Sequence, residues 1–476
     1  MMLDSLSASS WSLHHAAHLL NRAGFGGSPD EVQAFHAKGL ETAVKSLIEG
    51  KDDDTLFPAP DWAKSRDMTE TRTELVSLPE DQRKKIQQQL RMNGRDEMLA
   101  LREWWMTRMR YTEWPLREKM ALFWHGHFAT SIEKVHETYW MYLQNQTFRT
   151  HGLGSFQGLV KWMTRDPAMI RWLDLQQSNL RHPNENFARE VMELFTLGEG
   201  HYTEKDIRES ARAFTGYRFD PKTQQFAFAA NQHDEGQKTF MSKTGNFDGD
   251  GIVDIIFEQP QCARFMAKKI WSFFAYENPP QDIVDILAEE FRAKNYNVGG
   301  FLSSIFQSSE FYSKTAYRTQ IKSPAQWIVE TSKTLETKIP DTLATENAMR
   351  QMGQVLFAPP NVKGWVGNRA WISTSTLFFR YNMAAYFVTE RISKGQEMQG
   401  RIPIQLSMEK VAPAAIRNDE EALVSSLEFR LMNAPLPARE RAAALIYAQR
   451  YHGDMTDARI RDLLLMMMST PEFQLT

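Results

Sequence analysis

The sequence predicts a mostly α-helical, multi-helical globular body with one small β-hairpin and loop insertion near 217–251. Three observations lead there. Apolar residues recur at spacings of three and four along most of the chain, the period of a helix with one packed face. Pro or Ser opens many of these stretches and Gly closes them, which is the start and stop chemistry of helices. A 42% hydrophobic content over 476 residues suffices for a core of about two or three domains and excludes disorder for most of the chain.

In order, the periodicity predicts helices over 13–22, 29–48, 79–110, 115–129, 137–147 and 156–163. The 79–110 helix opens with the charged run Glu80 to Lys85 and reads as a solvated surface helix. The pattern changes at Gly216. Tyr217-Arg218-Phe219, the turn residues Asp220-Pro221-Lys222 and Gln225-Phe226-Ala227-Phe228 form a hairpin signal, followed by a polar, glycine-bearing loop to Gly251. Helices resume at Ile252 and continue through 265–276, 281–294, 300–307, 323–335, 341–357, 375–393, 420–432, 438–451 and 456–468. Linkers are expected at 53–78 and 395–418, where Pro, charge and hydroxyl residues replace periodicity. The organisation expected is one helical domain over 1–476, with a subdivision into 1–320 and 321–476 left open.

Composition narrows the function classes. Lys and Arg number 56 against 59 Asp and Glu, so no whole-molecule field attracts nucleic acid or an anionic membrane. The single cysteine, Cys262, rules out an intramolecular disulfide and reads as a packed core thiol. No stretch of about 18 apolar residues predicts a transmembrane segment, and the first residues carry no signal-peptide pattern. The expected location is cytoplasmic, with an extracytoplasmic one left open by a removed leader. Nucleotide-binding glycine loops, the H-E-x-x-H zinc motif and the G-x-S-x-G serine elbow do not occur.

Four polar constellations remain. In the first, His182 to Glu193, the helical period places Glu185, Asn186, Arg189, Glu190 and Glu193 within roughly 140° of arc, opposite Phe187 and Val191. Three carboxylates, an amide and a guanidinium suit a cation, a phosphate or a sugar; a solvated face with Glu185 and Arg189 paired would look the same. The second is Trp124-His125-Gly126-His127, whose imidazoles could share a metal or substrate oxygen only if Gly126 ends the helix. The third runs from His233 and Asp234 through Lys238 to Asn246, Asp248, Asp250 and Gly251. Its alternating oxygens resemble half a calcium loop, but the twelfth position is Phe257, and an acidic turn capping the next helix explains it equally well. The fourth, Asn361-Val362-Lys363-Gly364-Trp365 through Trp371 and on to Arg380, offers either a stacking platform or two tryptophan anchors.

Taken together, HLLNRAGFGGSPDEV, KMALFWHGHFATS, NENFAREVMELFTLGEGHYTEKDIRESARAFTGY, HDEGQKTFMSKTGNFDGDGIVDIIFEQP and NVKGWVGNRAWISTSTLFFR resemble the bacterial domain-of-unknown-function family 1800, from about His15 to Phe473. The resemblance implies no particular reaction. It implies a partner similar to sulfatases and alkaline phosphatases, encoded nearby, and many relatives carry an export signal that this sequence lacks. It also places the motif positions in all four constellations, which favours one shared pocket.

The functional expectation is an enzyme with one polar cleft. Glu190, Glu193, His127, His233 and Asp234 would be its catalytic groups. Asn186, Arg189, Lys238, Asn361, Lys363, Trp365, Trp371 and Arg380 would hold an anionic substrate, phosphorylated, sulfated or saccharide. A divalent metal would sit among His125, His127, Glu190, Asp248 and Asp250, assisting hydrolysis or transfer. Two alternatives stand beside it: a non-catalytic binding or assembly protein acting with that partner, in which the polar residues form a buried network, and a haem protein ligated by His125, His127 or His233.

Overall fold

The protein is described by a computed structural model covering residues 3–51, 54–389 and 404–476. Among them run twenty-three α-helices and two small two-stranded sheets, as the periodicity predicts. Ten helices carry the polar constellations or pack around them, and these are numbered in chain order. They are α1 (Leu13–Ala23), α2 (Glu80–Tyr111), α3 (Pro115–His127), α4 (Glu185–Glu193), α5 (Glu204–Ala213), α6 (Gly249–Glu258), α7 (Pro260–Phe274), α8 (Pro324–Thr334), α9 (Thr342–Gln351) and α10 (Thr374–Thr389). No helix among the described residues is long and apolar enough to cross a membrane.

The expected hairpin forms with β1 (Tyr217–Phe219) antiparallel to β2 (Phe226–Phe228), Tyr217 opposite Phe228. The polar stretch after it contains a second, unforeseen hairpin of β3 (Lys238–Phe240) and β4 (Lys243–Gly245). Several helices differ in extent. The 29–48 stretch is two helices, Pro29–Ala37 and Leu40–Ile48, because Gly39 turns the chain at φ +74°. The 341–357 stretch ends at Gln351, before Gly353 at φ +93°, and Val355 to Phe357 follow as irregular chain. Within the expected 53–78 linker, Met68–Ser77 is helical. The expected 395–418 linker and the end of the 375–393 helix lie partly outside the described residues.

One extensive core joins these helices, with Trp105, Trp124, Trp140, Trp271 and Trp327 fully buried. Cys262 is packed in it, and burial pushes its thiol pKa up. A buried ion cluster fixes α3. Glu118 accepts from Trp105 Nε1 at 2.9 Å, from Arg108 Nε at 3.2 Å, and from Arg149 Nε and Nη2 at 2.5 and 2.7 Å. Burial alone would raise this carboxyl; the guanidiniums of Arg149 and Arg108 outweigh it and hold the pKa below the ordinary value. Both arginines come from neighbouring helices, so the cluster clamps α3, and with it the turn that carries His125 and His127.

Candidate functional site on the α4 face

Helix α4 starts at Asn184, whose side chain accepts from Asn186 N at 2.9 Å and so satisfies an open helix donor. Phe187, Ala188, Val191 and Met192 are buried, which turns the opposite side outward as its period requires. The carbonyl of Glu190 receives both Leu194 N at 3.0 Å and Phe195 N at 3.1 Å, ending the helix and bending the chain inward. Glu185 and Asn186 are exposed, whereas Glu190 and Glu193 are half-buried.

That half-burial has an electrostatic result. Burial raises the pKa of the Glu190 carboxyl, and the nearby Glu193 raises it further, while Lys363 and Arg189 pull it down without cancelling the effect. Glu193 accepts a hydrogen bond from the Tyr202 hydroxyl. Burial and that carboxylate together push Tyr202 up to about 12, so it remains a donor. Arg189 is held by Glu204 through Nη1 at 3.1 Å and Nη2 at 3.0 Å, in place of the expected pairing with Glu185.

Lys363 reaches this face on a loop seated on the end of α3. Asn361 Oδ1 accepts from Lys363 N at 2.9 Å, tightening the turn. Gly364, at φ +77°, lies so close to α3 that a Cβ there would stand 2.3 Å from the Gly126 carbonyl oxygen. Trp365 packs edge-on over the His125 ring, with centroids 5.4 Å apart. Parts of the first, second and fourth constellations therefore do meet.

The two histidines beneath serve different purposes. Helix α3 runs on through Gly126 to His127, so the expected break at Gly126 does not occur and the imidazoles diverge. His125 Nε2 accepts from Phe357 N at 2.9 Å, and burial, aided by the charge of Arg102, lowers its pKa to about 3. His127 Nε2 lies 3.1 Å from the Phe195 carbonyl, which can only accept, so this nitrogen carries the hydrogen. Its Nδ1 then accepts from Lys269 Nζ at 3.0 Å. Burial and the Lys269 charge hold His127 well below its usual value, and burial lowers Lys269 to about 8. Lys269 Nζ also lies 3.4 Å from the Leu194 carbonyl, placing this amine directly under the end of α4.

Residues 18–475 match the family described as "Protein of unknown function (DUF1800)". The chain is a DUF1800 protein. No curated protein and no solved structure matches it.

The third constellation of this DUF1800 protein is consumed by its own fold. Asp234 receives Arg212 Nε at 2.7 Å and Nη2 at 3.1 Å, and this pairing depresses its pKa. His233 Nδ1 bonds to the Thr215 carbonyl at 2.9 Å. Lys238, expected to hold an anion, is buried and donates to the carbonyls of Asp234 and Gly236 and to Asn246 Oδ1. Asp248 caps α6 by accepting from Gly251 N at 2.9 Å, the capping alternative, and Asp250 pairs with Arg165 at 2.7 Å. His125, His127, Glu190, Asp248 and Asp250 thus do not converge, and among the described residues no three His, Cys, Asp or Glu side chains gather as a metal would require.

In the fourth constellation, Arg380 is fully buried and donates to the Lys322 carbonyl at 2.7 Å and Gln474 Oε1 at 3.3 Å. It ties α10 to the chain leading into α8 and cannot also hold a substrate anion. Trp371 is 7% exposed and anchors its loop; Lys363 and Asn361 are exposed. Sequence reasoning overlooked Lys269 and Tyr202. Tyr202 sits within the motif itself, but Lys269 stands beside Lys268 in an amphipathic helix and carries no signal beyond lying at the flank of the apolar stripe.

Proposed function

We propose that the α4 face is an acid–base active site for hydrolysis or group transfer at an anionic substrate. The observation that supports it is the half-buried Glu190, raised in pKa beside a second carboxylate and faced by Lys363. A carboxyl raised in this way keeps its proton to higher pH than an ordinary one and can deliver it to a leaving oxygen. Glu193, oriented by Tyr202, takes a proton from the attacking water, and Lys363 neutralises the anionic group while Asn361 and Trp365 shape the recess. His127 and Lys269 brace the floor.

The test uses chromogenic aryl phosphates, sulfates and glycosides, with and without added divalent cation, on wild type and Glu190→Gln. Turnover that disappears in the folded variant supports the reading. Wild-type rates no higher than the variant's on every substrate overturn it.

A second reading, docking of the sulfatase- or phosphatase-like partner suggested by the resemblance, draws on Val366 and Phe378. They are 91% and 61% exposed, on the loop that carries Lys363 and on α10 just beyond it. Large apolar side chains so placed favour contact with another protein. Val366→Ser with Phe378→Ser should abolish capture of a purified partner while leaving aryl-ester turnover unchanged.

A further inference from the structure

A second recess opens where α1 begins and shares no residue with the α4 face. It is an open cavity of about 430 Å³, within the size range of small-molecule sites. Ser12, His14, His15 and Lys314 supply its polar lining, and Tyr312, Tyr317, Ala434 and Pro435 the remainder. No carboxylate is among these lining residues.

The fold settles the hydrogens of both imidazoles. His14 Nδ1 lies 2.7 Å from the Asn433 carbonyl, and His15 Nδ1 lies 2.7 Å from the Ser10 carbonyl. A carbonyl only accepts, so each Nδ1 carries a hydrogen and each Nε2 is the nitrogen left for a ligand. Ser12 Oγ accepts from His15 N at 3.4 Å, and because the adjacent His15 Nδ1 already holds a hydrogen, the hydroxyl keeps its own to donate. Lys314 is exposed, and its ammonium pairs with no carboxylate among the described residues. The tyrosine hydroxyls are already engaged, Tyr312 donating to the Phe306 carbonyl at 2.8 Å and Tyr317 to the Asn433 carbonyl at 3.2 Å, which leaves their rings as wall.

An occupant of this cavity meets an ammonium, a hydroxyl donor and two ring nitrogens that accept a hydrogen when neutral and donate one when protonated. A phosphoryl group satisfies all of them, because its second proton leaves at a pKa of about 6. As a monoanion its P–OH donates to a neutral Nε2; as a dianion its oxygen accepts from a protonated one. Either way a single proton lies between ring and ligand, and a carboxylate or sulfonate has no such proton to share near neutral pH. The tyrosine rings beside alanine and proline suit an aromatic substituent. We propose that this cavity binds a small aryl phosphomonoester, its phosphoryl oxygens on His14, His15, Lys314 and Ser12 and its ring against Tyr312 and Tyr317. The site is independent of the proposed α4 chemistry and stands if that reading fails.

The experiment titrates phenylphosphonate, whose carbon–phosphorus bond is not an ester and survives any hydrolysis at α4, into the full chain by calorimetry, beside benzenesulfonate and inorganic phosphate. The expected result is saturable binding of phenylphosphonate, about tenfold tighter than benzenesulfonate, which has the same ring and a tetrahedral anion without the proton; that ratio lies within the range for one hydrogen bond to a charged group. Inorganic phosphate, lacking the ring, should bind more weakly than phenylphosphonate. His14→Ala and Lys314→Ala, both at exposed positions, should each weaken the binding about tenfold with the far-ultraviolet circular dichroism unchanged. Lys363→Ala, which alters the α4 face, should leave it unchanged. Saturable binding of none of the three ligands overturns the site. Equal affinity for benzenesulfonate overturns the choice of a phosphoryl group, and equal affinity for inorganic phosphate overturns the role of the tyrosine wall. Binding lost in Lys363→Ala but kept in both cavity variants places the ligand on the α4 face and overturns the location.

Discussion

Helix α4 and the segment from His233 to Asp250 carry equally rich sets of charged residues, yet their charges are used in opposite ways. In 233–250 Asp234 is matched by Arg212, Asp250 by Arg165, Lys238 by two carbonyls and an amide, and Asp248 by a helix donor. On α4 two carboxylates stand near each other with a tyrosine on one and a lysine from a distant loop facing the other, and one of them is raised in pKa. The first arrangement fixes a loop; the second leaves a half-buried carboxyl raised in pKa. The comparison teaches that residue type marks where charge is needed, whereas function depends on which charges the fold leaves incompletely matched.

The sharpest way to break this contrast is Glu190→Gln. It should lower aryl-ester turnover by about 100-fold or more, in the range of a lost general acid, with Tm unchanged or slightly higher. Equal losses of activity and stability would place α4 with the structural segment. Next in size is Lys238→Met, which leaves two carbonyls and Asn246 without their donor. It should cost about 2–3 kcal/mol of stability in urea unfolding while turnover per folded molecule stays within about twofold; a large loss of turnover in folded protein would return 233–250 to the active site.

The pH profile sharpens the contrast further. The Glu190 pKa is raised in the folded state, so its protonated form persists above the ordinary carboxyl range, and activity that needs the proton falls as pH rises through that raised value. The same group's contribution to stability is full below its unfolded value and is lost as pH rises through the folded one. The alkaline limb should therefore vanish in whatever rate remains to Glu190→Gln. The smallest effect is that of Lys363→Ala. It removes the larger of the two cationic influences that lower Glu190, so the limb should move to higher pH, with KM raised several-fold. A shift to lower pH would mean that Lys363 does not face Glu190.

Much of the fold was legible because helical period, Pro starts and Gly stops agree locally. The exceptions have physical causes. Helix α5 shows little apolar period, having only Ile207 and small residues on its buried side, although Thr203 and Asp206 form a capping box. The β3–β4 hairpin turns at Met241 and Ser242, both at positive φ (+46° and +68°), where Asn and Gly are the usual signal. A tertiary bond from Met241 N to Asp206 Oδ1 at 2.8 Å supports that turn, and nothing local predicts it. At the site, the sorting of α4 into two faces was visible from Glu185 to Glu193. The fates of Lys238 and Arg380 were not, because a basic side chain wrapped in carbonyls has the same letter as one waiting for an anion. Lys269 escaped for a related reason: its partners are His127 and the Leu194 carbonyl, both far off in the chain.

The contact between Gly364 and Gly126 governs more than space. At this point loop and helix meet main chain to main chain, with the Trp365–His125 ring contact beside it, so no flexible side chain cushions the approach of residue 364 to α3. Only one of the pair requires glycine, since a methyl on Gly126 would meet nothing within 4 Å. The loop is thereby keyed in one direction: its other residues can be exchanged with the main-chain contact kept, whereas a single carbon added at 364 acts as a wedge that parts the Lys363 loop from α3.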